Sequence, residues 1–175
     1  MESLGRIIGA GVLERYARLQ ISIAEVGVGW IPFWLQEMDY YTAFRSELPK
    51  PPSEYFRRQV TSTFIGDAVG GQLLARYPVL QDISLWSADY PHRATIWPDS
   101  RVLMKKDLGH LSRDIIRKVT VTNVCRVFNE GKMPQPAGKA DPGYEAAVRL
   151  WVKDHPQFGL ISRERNAPDA GRIRI

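Results

Sequence analysis

The stretch ISLWSADYPH, residues 83–92, decides the fold class because it joins a short apolar run to a polar loop. Residues 83–88 have the length and the apolar content of a β-strand. Asp89 and His92 follow this run closely. In folds built of βα units, residues in that position lie at the carboxyl ends of the strands, where the catalytic residues are found.

Two further segments show the same order of a strand followed by a helix. Residues 19–26 form a β-branched run whose nearly continuous apolar character suits a parallel strand buried on both faces, and a glycine-rich turn follows it. The other elements predicted from spacing and capping residues are a strand over 57–65, a loop over 47–53, and helices over 4–19, 30–44, 69–77, 100–108 and 112–128. We expect 21–25, 60–64 and 83–88 to be adjacent parallel strands that end on the same side.

Alternating strands and helices imply an α/β fold in which helices cover a parallel sheet. Three such units are too few to close a (β/α)₈ TIM barrel, which takes about 250 residues, whereas this chain has 175. Over residues 1–130 the sequence therefore fits either a doubly wound fold or a partial (β/α)₈ barrel. After residue 130 the strand-helix order stops, and residues 131–175 are expected to form a loop, one short amphipathic helix over 144–153 and a frayed tail.

The distribution of charge argues against a nucleic-acid partner. The formal net charge is +5, but eight Lys or Arg and five Asp or Glu fall after residue 130, so the body of the chain is nearly neutral. No block of basic residues and no zinc-finger spacing appears. No apolar run is long enough for a membrane span. The single cysteine, Cys125, cannot form an internal disulfide, which favours a reducing cytoplasm.

Two carboxylates lie where a βα fold places its functional residues. Glu25 is on an otherwise apolar strand, and a buried charge there must be paired, protonated or turned toward a polar cavity. A salt bridge to an arginine of the sheet is the structural alternative for Glu25. Asp89 closes the third strand, and its structural alternative is a turn residue before a proline.

The histidines do not form a metal site on their own, because their spacing excludes the H-x-H and H-E-x-x-H patterns. His92 is either a ligand or proton shuttle, or an exposed loop residue, whereas His110 and His155 are expected on the surface. Nucleophile-elbow, P-loop and dinucleotide-binding motifs are absent as well. Four side chains are expected to pack in the core, although their chemistry would also allow a functional role. They are Trp30, Trp34, Met38 and Cys125.

Three segments of the chain carry a family resemblance. They are ISIAEVGVGWIP at 21–32, PPSEYFRRQV at 51–60 and LWSADYPH at 85–92, and the S-x-D-Y-P-H pattern is the most specific element among them. Together they resemble the amidohydrolase-related family, the metal-dependent (β/α)₈ group that includes aminocarboxymuconate-semialdehyde decarboxylase. The resemblance covers residues 5–130 and implies that they form the last three βα units of the barrel.

The resemblance also implies a catalytic site at the strand ends. Asp89 matches the aspartate of the eighth strand, which in the family binds the catalytic metal or handles the proton of its activated water. Glu25 falls where many members carry a histidine for proton transfer or substrate contact, and His92 and Trp30 would contact a small-molecule substrate. The metal of the intact family enzyme is divalent, with zinc expected, and its other ligands would lie ahead of Met1. We therefore expect this chain alone to bind zinc weakly and to be inactive.

Hydrolysis or decarboxylation of a small organic acid or amide is the function that the resemblance implies. Two alternatives without catalysis stay open: an inactive partial barrel that acts as an interaction module, and a half barrel that complements a separately encoded half. A barrel opened after three strands has two sheet edges with unpaired backbone groups. We therefore expect self-association or a complementary half, and lower solubility once residues 131–175 are removed.

Overall fold

Residues 1–45 and 47–128 are described by the structure, which is a computed structural model. The helix expected over 144–153, the loop and tail around it, and His155 lie outside the described residues. Within the described part, no helix combines the length and the apolar character that a membrane span requires.

A three-stranded parallel sheet lies at the centre of the fold. Its strands, in the spatial order β1-β2-β3, are β1 (Ile21–Ile23), β2 (Val60–Phe64) and β3 (Ser84–Trp86). Both pairings are parallel, and Ser62 of β2 is in register with Ile23 on one side and with Ser84 on the other. The prediction of three adjacent parallel strands is confirmed, although β1 and β3 are shorter than the sequence indicated.

Helices pack around the sheet and account for most of the other described residues. They are α1 (Glu2–Gly9), α2 (Val12–Arg15), α3 (Ile31–Arg45), α4 (Pro52–Gln59), α5 (Ala68–Leu73), α6 (Pro78–Ile83), α7 (Ser100–Leu108), α8 (Arg113–Arg117) and α9 (Asn123–Phe128). A π-helical turn, Lys118–Thr122, joins α8 to α9.

The single helix expected over 4–19 is wrong, because the segment contains two short helices. Gly11 lies between them with a φ of 68°. This left-handed conformation interrupts a right-handed helix, and glycine adopts it at little cost. The chain therefore turns at Gly11 before α2, which positions the residues that lead into β1.

The strand expected over 57–65 is also wrong in its first half. Helix α4 runs to Gln59, starting at Pro52, where proline suits the first turn of a helix. The Gln59 side chain is buried and donates to the carbonyl oxygens of Tyr16 (2.9 Å) and Leu19 (3.0 Å). These tertiary hydrogen bonds end α4 at the strand, so β2 begins only at Val60.

Two more boundaries differ from the sequence analysis. Ile83 ends helix α6, which the spacing did not indicate, so β3 begins one residue later. The helix expected over 112–128 is interrupted by the π-helical turn at Lys118–Thr122, where four consecutive β-branched residues lower the helix propensity. Neither feature changes the order of the strands.

The core lies between the sheet and the helices. Phe56, Phe64 and Leu80 are almost completely buried there. Trp30 and Trp34 are partly buried against the same core, and their rings meet edge to face with centroids 5.5 Å apart. The buried cluster as a whole contains Leu4, Ile8, Leu13, Val28, Ile31, Leu35, Tyr55, Phe56, Val60, Phe64, Leu74, Leu80, Ile83, Leu108, Leu111 and Val119.

Asp82 connects three helical segments near the amino-terminal end of β3. It lies in α6 and accepts hydrogen bonds from Arg57 of α4 (Nε to Oδ2, 2.9 Å) and from Lys118 of the π-helical turn. Burial disfavours the charged carboxylate, but the hydrogen bonds and charges of Lys118 and Arg57 outweigh burial and lower the pKa of Asp82 below 3.8. Asp82 therefore forms structural ion pairs with Arg57 and Lys118.

Candidate metal centre at the strand ends

Glu25, Asp89 and His92 meet at the carboxyl end of the sheet. One ligand atom from each lies within 4.8 Å of the others. The His92 Nδ1 atom is 3.3 Å from Glu25 Oε1 and 3.2 Å from Asp89 Oδ1. The two carboxylates thus follow different strands but lie on the same side of the sheet, as the sequence predicted.

The three side chains differ in exposure. The Asp89 side chain is only 8% exposed, whereas those of Glu25 and His92 are 59% and 66% exposed. Asp89 therefore forms the floor of the cluster, while the other two form its solvent-facing rim. A small molecule can reach the rim without any rearrangement of the sheet.

Both carboxylates have a backbone conformation that is rare for residues other than glycine. The φ angle is 63° at Glu25 and 53° at Asp89. A non-glycine residue in this left-handed region costs of order 1–2 kcal/mol and is common at functional sites. In each case the backbone turns sharply after a strand and directs the carboxylate toward His92.

Side chains of the neighbouring strand ends hold these turns. The Thr63 Oγ1 atom of β2 accepts a hydrogen bond from the Glu25 N–H (2.9 Å). The Ser87 Oγ atom accepts one from the Asp89 N–H (3.2 Å). Because each hydroxyl binds the backbone of a strained residue, the pair fixes both carboxylates relative to the sheet.

Asp67 is a further residue of this region, which the sequence analysis missed. Its Oδ2 atom accepts from the N–H groups of Val28 (2.7 Å) and Gly29 (2.9 Å), and its Oδ1 atom accepts from Gly70 (2.8 Å). A Cβ atom on Gly27 would lie 2.8 Å from Asp67 Oδ2, so the turn after Glu25 needs glycine. Asp67 thus locks the β1 turn to the β2 turn.

A sequence signal for Asp67 did exist. It is three residues beyond the end of β2, as Asp89 is three residues beyond the end of β3. Gly70 is its near partner, and a capping aspartate at the start of α5 is also visible in the sequence. The partners Val28 and Gly29 are 39 and 38 residues away, so the link from Asp67 to the β1 turn follows only from the folded structure.

The donor set fits a divalent metal. Three ligands about 2.0–2.2 Å from a tetrahedral zinc ion lie about 3.3–3.6 Å from one another, and a catalytic site keeps its fourth position open. The Nδ1 distances of 3.2 and 3.3 Å are close to that separation. Two carboxylate oxygens and one imidazole nitrogen also suit manganese. A protonated His92 bridging the two carboxylates would give the same distances.

The other predicted site residue, Trp30, lies apart from this cluster. Its indole Nε1 donates to the Val26 carbonyl oxygen (3.2 Å), and its ring lines an apolar cavity of about 560 Å³ beside β1. His110 is exposed and Cys125 is buried, as expected. The structure thus brings together three of the four site residues proposed from the sequence.

Solved structures of known proteins share this fold. The 5-carboxyvanillate decarboxylase LigW from Sphingomonas paucimobilis has 25% sequence identity and a TM-score of 0.57, over 71% of this chain and 38% of its own. An amidohydrolase from Mycobacterium avium subsp. paratuberculosis K-10 has 22% identity and a TM-score of 0.61, over 71% and 31%. No family model and no curated protein sequence matches the chain.

A third structure carries a metal. The dihydroxybenzoic acid decarboxylase from a Polaromonas species has bound manganese and the inhibitor 2-nitroresorcinol, with 19% identity and a TM-score of 0.56, over 74% of this chain and 39% of its own. These neighbours confirm the amidohydrolase-related resemblance inferred from the sequence. The chain spans only 31–39% of their lengths.

Proposed function

We propose that this chain carries part of the catalytic site of a metal-dependent hydrolase or carboxy-lyase acting on a small organic acid or amide. Residues 1–130 are then the last three βα units of a partial (β/α)₈ barrel. The proposed location is the cytoplasm, on the ground of the single cysteine. The metal ligands that complete the centre belong to polypeptide outside these three units.

The observation that carries this proposal is the convergence of Glu25, Asp89 and His92. Two of these residues follow different strands, and both adopt a strained backbone that directs their carboxylates to the same imidazole nitrogen. A purely structural salt bridge does not require strain at both of its carboxylates. Strain of this kind persists where the arrangement itself serves a function.

Each residue then has a distinct role. Buried Asp89 is the metal ligand, because its side chain is shielded from competing water. A divalent metal, when bound, supplies Lewis-acid polarisation of a substrate or water oxygen. Glu25 accepts or returns a proton at Oε1, since a solvent-exposed carboxylate beside the metal position is within reach of a small substrate. His92 holds an anionic group of the substrate at the rim, and Trp30 contributes to the apolar cavity beside β1.

Decarboxylation is the reaction to test first, because two of the three solved neighbours are named as decarboxylases. Their names point to aromatic carboxylic acids as the substrate class. In decarboxylation the carbon that loses carbon dioxide must take up a proton, and Glu25 is the group in position to provide it. In hydrolysis the same carboxylate would take a proton from water.

A metal titration of the full chain tests the proposal. Calorimetry with manganese and with zinc should show one weak site, and Asp89→Asn should weaken binding by more than about tenfold. Glu54→Gln is the matched control, because Glu54 lies on α4 and its exposed carboxylate pairs with Lys50. Unchanged affinity in Asp89→Asn would contradict the proposal. Tight stoichiometric zinc would show that ligands beyond these three are present in the chain.

The short coverage of the neighbours favours a second candidate function. Because the chain spans 31–39% of their lengths, it could act as an inactive partial barrel that serves as an interaction module or complements a separately encoded half. This candidate predicts an intact fold without metal binding. The titration described above separates the two, since only the catalytic proposal requires a metal that depends on Asp89.

A further inference from the structure

His92 lies on a loop that closes on itself. The loop leaves the sheet after β3 and returns to the fold at Thr95 and Ile96, which are each only 1% exposed. His92 is in the exposed part between these points. Exposed loops move more than the elements that they connect. The hydrogen bonds at the base of the loop therefore decide whether His92 keeps its place beside the two carboxylates.

The Ala88 carbonyl oxygen joins the two ends of this loop. It accepts a hydrogen bond from the Thr95 Oγ1 hydroxyl (2.8 Å) and a second one from the Ile96 N–H (3.1 Å). A carbonyl oxygen has two lone pairs, and these two donors use both. Ala88 directly precedes Asp89, the buried carboxylate of the cluster. The base of the loop is therefore fixed one residue away from the site.

Thr95 uses its hydroxyl twice. The Oγ1 atom that donates to Ala88 also accepts a hydrogen bond from the Trp97 N–H (3.1 Å). A hydroxyl offers one donor and two acceptor sites, so this single group connects the start of the loop with the residue beyond its end. Because Thr95 is buried, loss of the hydroxyl would leave the Trp97 N–H without this acceptor and Ala88 without one of its donors.

Two consecutive turns extend this constraint to His92. The His92 N–H donates to the Asp89 carbonyl oxygen (2.9 Å), and the His92 carbonyl oxygen accepts from the Thr95 N–H (3.1 Å). Each bond joins a residue to the third residue after it, which is the hydrogen bond of a β-turn. His92 thus ends one turn and begins the next. Both polar groups of its backbone are held between the site and Thr95.

A ring contact also closes the loop, but it is less buried. The rings of Tyr90 and Trp97 meet edge to face with centroids 5.3 Å apart. Tyr90 is an exposed residue, so this contact buries only part of its ring, whereas Thr95 is almost completely buried. The Thr95 hydroxyl is therefore the better shielded of the two connections.

The position of His92 matters for a metal because coordination needs well-defined distances. Its Nδ1 atom is 3.3 Å from Glu25 Oε1 and 3.2 Å from Asp89 Oδ1. Ligand distances in real metal sites vary by only about 0.2 Å. Groups that orient a metal ligand change metal affinity by about 10- to 100-fold when they are removed. A residue that fixes the loop is expected to act on the metal in the same way.

We propose that Thr95 is a positioning residue of the metal centre, because its hydroxyl holds the loop conformation that places the His92 Nδ1 atom between the two carboxylates. This inference rests on the proposed function, since it concerns a metal that Glu25, Asp89 and His92 would hold. Thr95 is not a ligand, because its hydroxyl is bonded to Ala88 and Trp97. It acts on the metal through His92.

Metal titration of full-length variants tests the role of the hydroxyl. Thr95→Val has nearly the same shape as the wild type but lacks the hydroxyl, so its zinc affinity in calorimetry should fall about tenfold. Thr95→Ser keeps the hydroxyl and should bind zinc almost as the wild type does. Thr120→Val is the matched control, because Thr120 donates to the Ile116 carbonyl oxygen (2.7 Å) from the π-helical turn, which contributes nothing to the cluster.

A double-mutant cycle shows whether Thr95 acts through His92. In a His92→Ala background, Thr95→Val should cause no further loss of metal affinity, because the ligand that Thr95 positions is gone. A merely structural role would weaken binding in both backgrounds. Manganese serves for all four proteins, since its effect on water proton relaxation reports the weak binding expected of His92→Ala.

Urea unfolding of each variant measures folding separately. If Thr95→Val is too unstable to titrate, Thr95→Ser and Thr95→Ala give the same comparison, because their side chains differ by one hydroxyl. The serine variant should then bind zinc about tenfold more tightly than the alanine variant. Equal affinities of these two variants would contradict the role of the hydroxyl.

Three results would overturn the inference. A wild-type metal site that depends on Asp89 and is unchanged in Thr95→Val would exclude a positioning role and leave the proposed function intact. Equal losses with and without His92 would assign Thr95 to the fold alone. A chain without any metal site that depends on Asp89 would overturn the proposed function, and this inference with it.

Discussion

Glu25 and Asp89 show how backbone strain and chemistry coincide at single residues. Both have left-handed φ angles, and both carry carboxylates of the cluster. Aspartate tolerates this conformation better than glutamate, because its short side chain can bind the local backbone. The strain at Glu25 is therefore the larger of the two, and substitution at Glu25 should reveal it most clearly.

Glu25→Gly should be more stable than Glu25→Ala by about 1 kcal/mol. Both variants lose the carboxylate, but only alanine keeps the Cβ atom that opposes a φ of 63°. Urea unfolding at neutral pH measures the difference. Equal stabilities would show that the turn relaxes to an ordinary conformation once the glutamate is gone.

Asp67→Ala should lower the free energy of unfolding by about 2–3 kcal/mol. The substitution leaves three backbone N–H groups without their acceptor, and such groups are costly when they are partly buried. Asp67→Asn is the matched variant: one amide oxygen can keep the bonds to Val28 and Gly29, so its loss should be smaller. Chemical denaturation of the three proteins gives the ranking.

The residues of the cluster differ in how far sequence could predict them. Glu25 and Asp89 were predicted because a carboxylate directly after an apolar strand can be recognised in the amino-acid sequence. Thr63 was not, since it binds a backbone N–H that only the pairing of strands brings near. Ser87 was not either, although the N–H that it binds is only two residues away. The expected contact of Trp30 with a substrate stays a prediction, and its indole donates to the Val26 carbonyl oxygen.

The strands were predicted in their correct order, whereas helices α4 and α6 were not predicted and several boundaries were wrong. The order of β1, β2 and β3 follows from repeated apolar runs. The limits of α4 and α6 do not follow from the sequence, because a proline in the first turn of a helix also suits a loop. The end of α4 depends on hydrogen bonds from Gln59 to a segment about 40 residues earlier.

The contacts of Asp82 should make the packing of α4, α6 and the π-helical turn depend on pH. Its pKa in the folded protein is lower than the ordinary value of 3.8. A lowered carboxylate pKa contributes stability that is fully present above the unfolded value and is lost as the pH falls through the folded value. We therefore expect Asp82→Asn to be less stable than the wild type at neutral pH.

That difference should shrink once the pH falls below about 3.8. Urea unfolding of both proteins from pH 7 downward measures the effect. Glu54→Gln serves as the comparison, because the Glu54 pair with Lys50 is exposed and solvent screens it. A gap between wild type and Asp82→Asn that stays constant into strong acid would contradict the role given to the carboxylate.

At the scale of the whole molecule, Asn123 connects the last helix to the sheet. It is only 2% exposed, and its amide reaches carbonyl groups in both α6 and β3. Asn123→Ala leaves both carbonyl groups without that donor, so we expect a loss of about 2 kcal/mol in unfolding free energy. Thermal and urea unfolding measure it, and a loss below about 0.5 kcal/mol would show that water replaces the amide.

The sequence predicts two open sheet edges, and in the structure the Asn123 amide binds one carbonyl group at the start of β3. That contact depends on the three-dimensional position of Asn123, about 40 residues away from Ser84 in sequence. Local patterns could not show it. The wider expectation of association stays a prediction.

The hydrogen bond from Asn123 to the sheet bears on what polymer chemists call valence, the number of reactive ends that a unit carries. A unit with two reactive ends grows into chains of any length, whereas a unit with one reactive end can only pair and stop. Asn123 occupies one backbone carbonyl group at the start of β3, so in the association expected from the sequence β3 is the less reactive edge. Asn123→Ala would return that carbonyl group to the edge and favour growth over pairing.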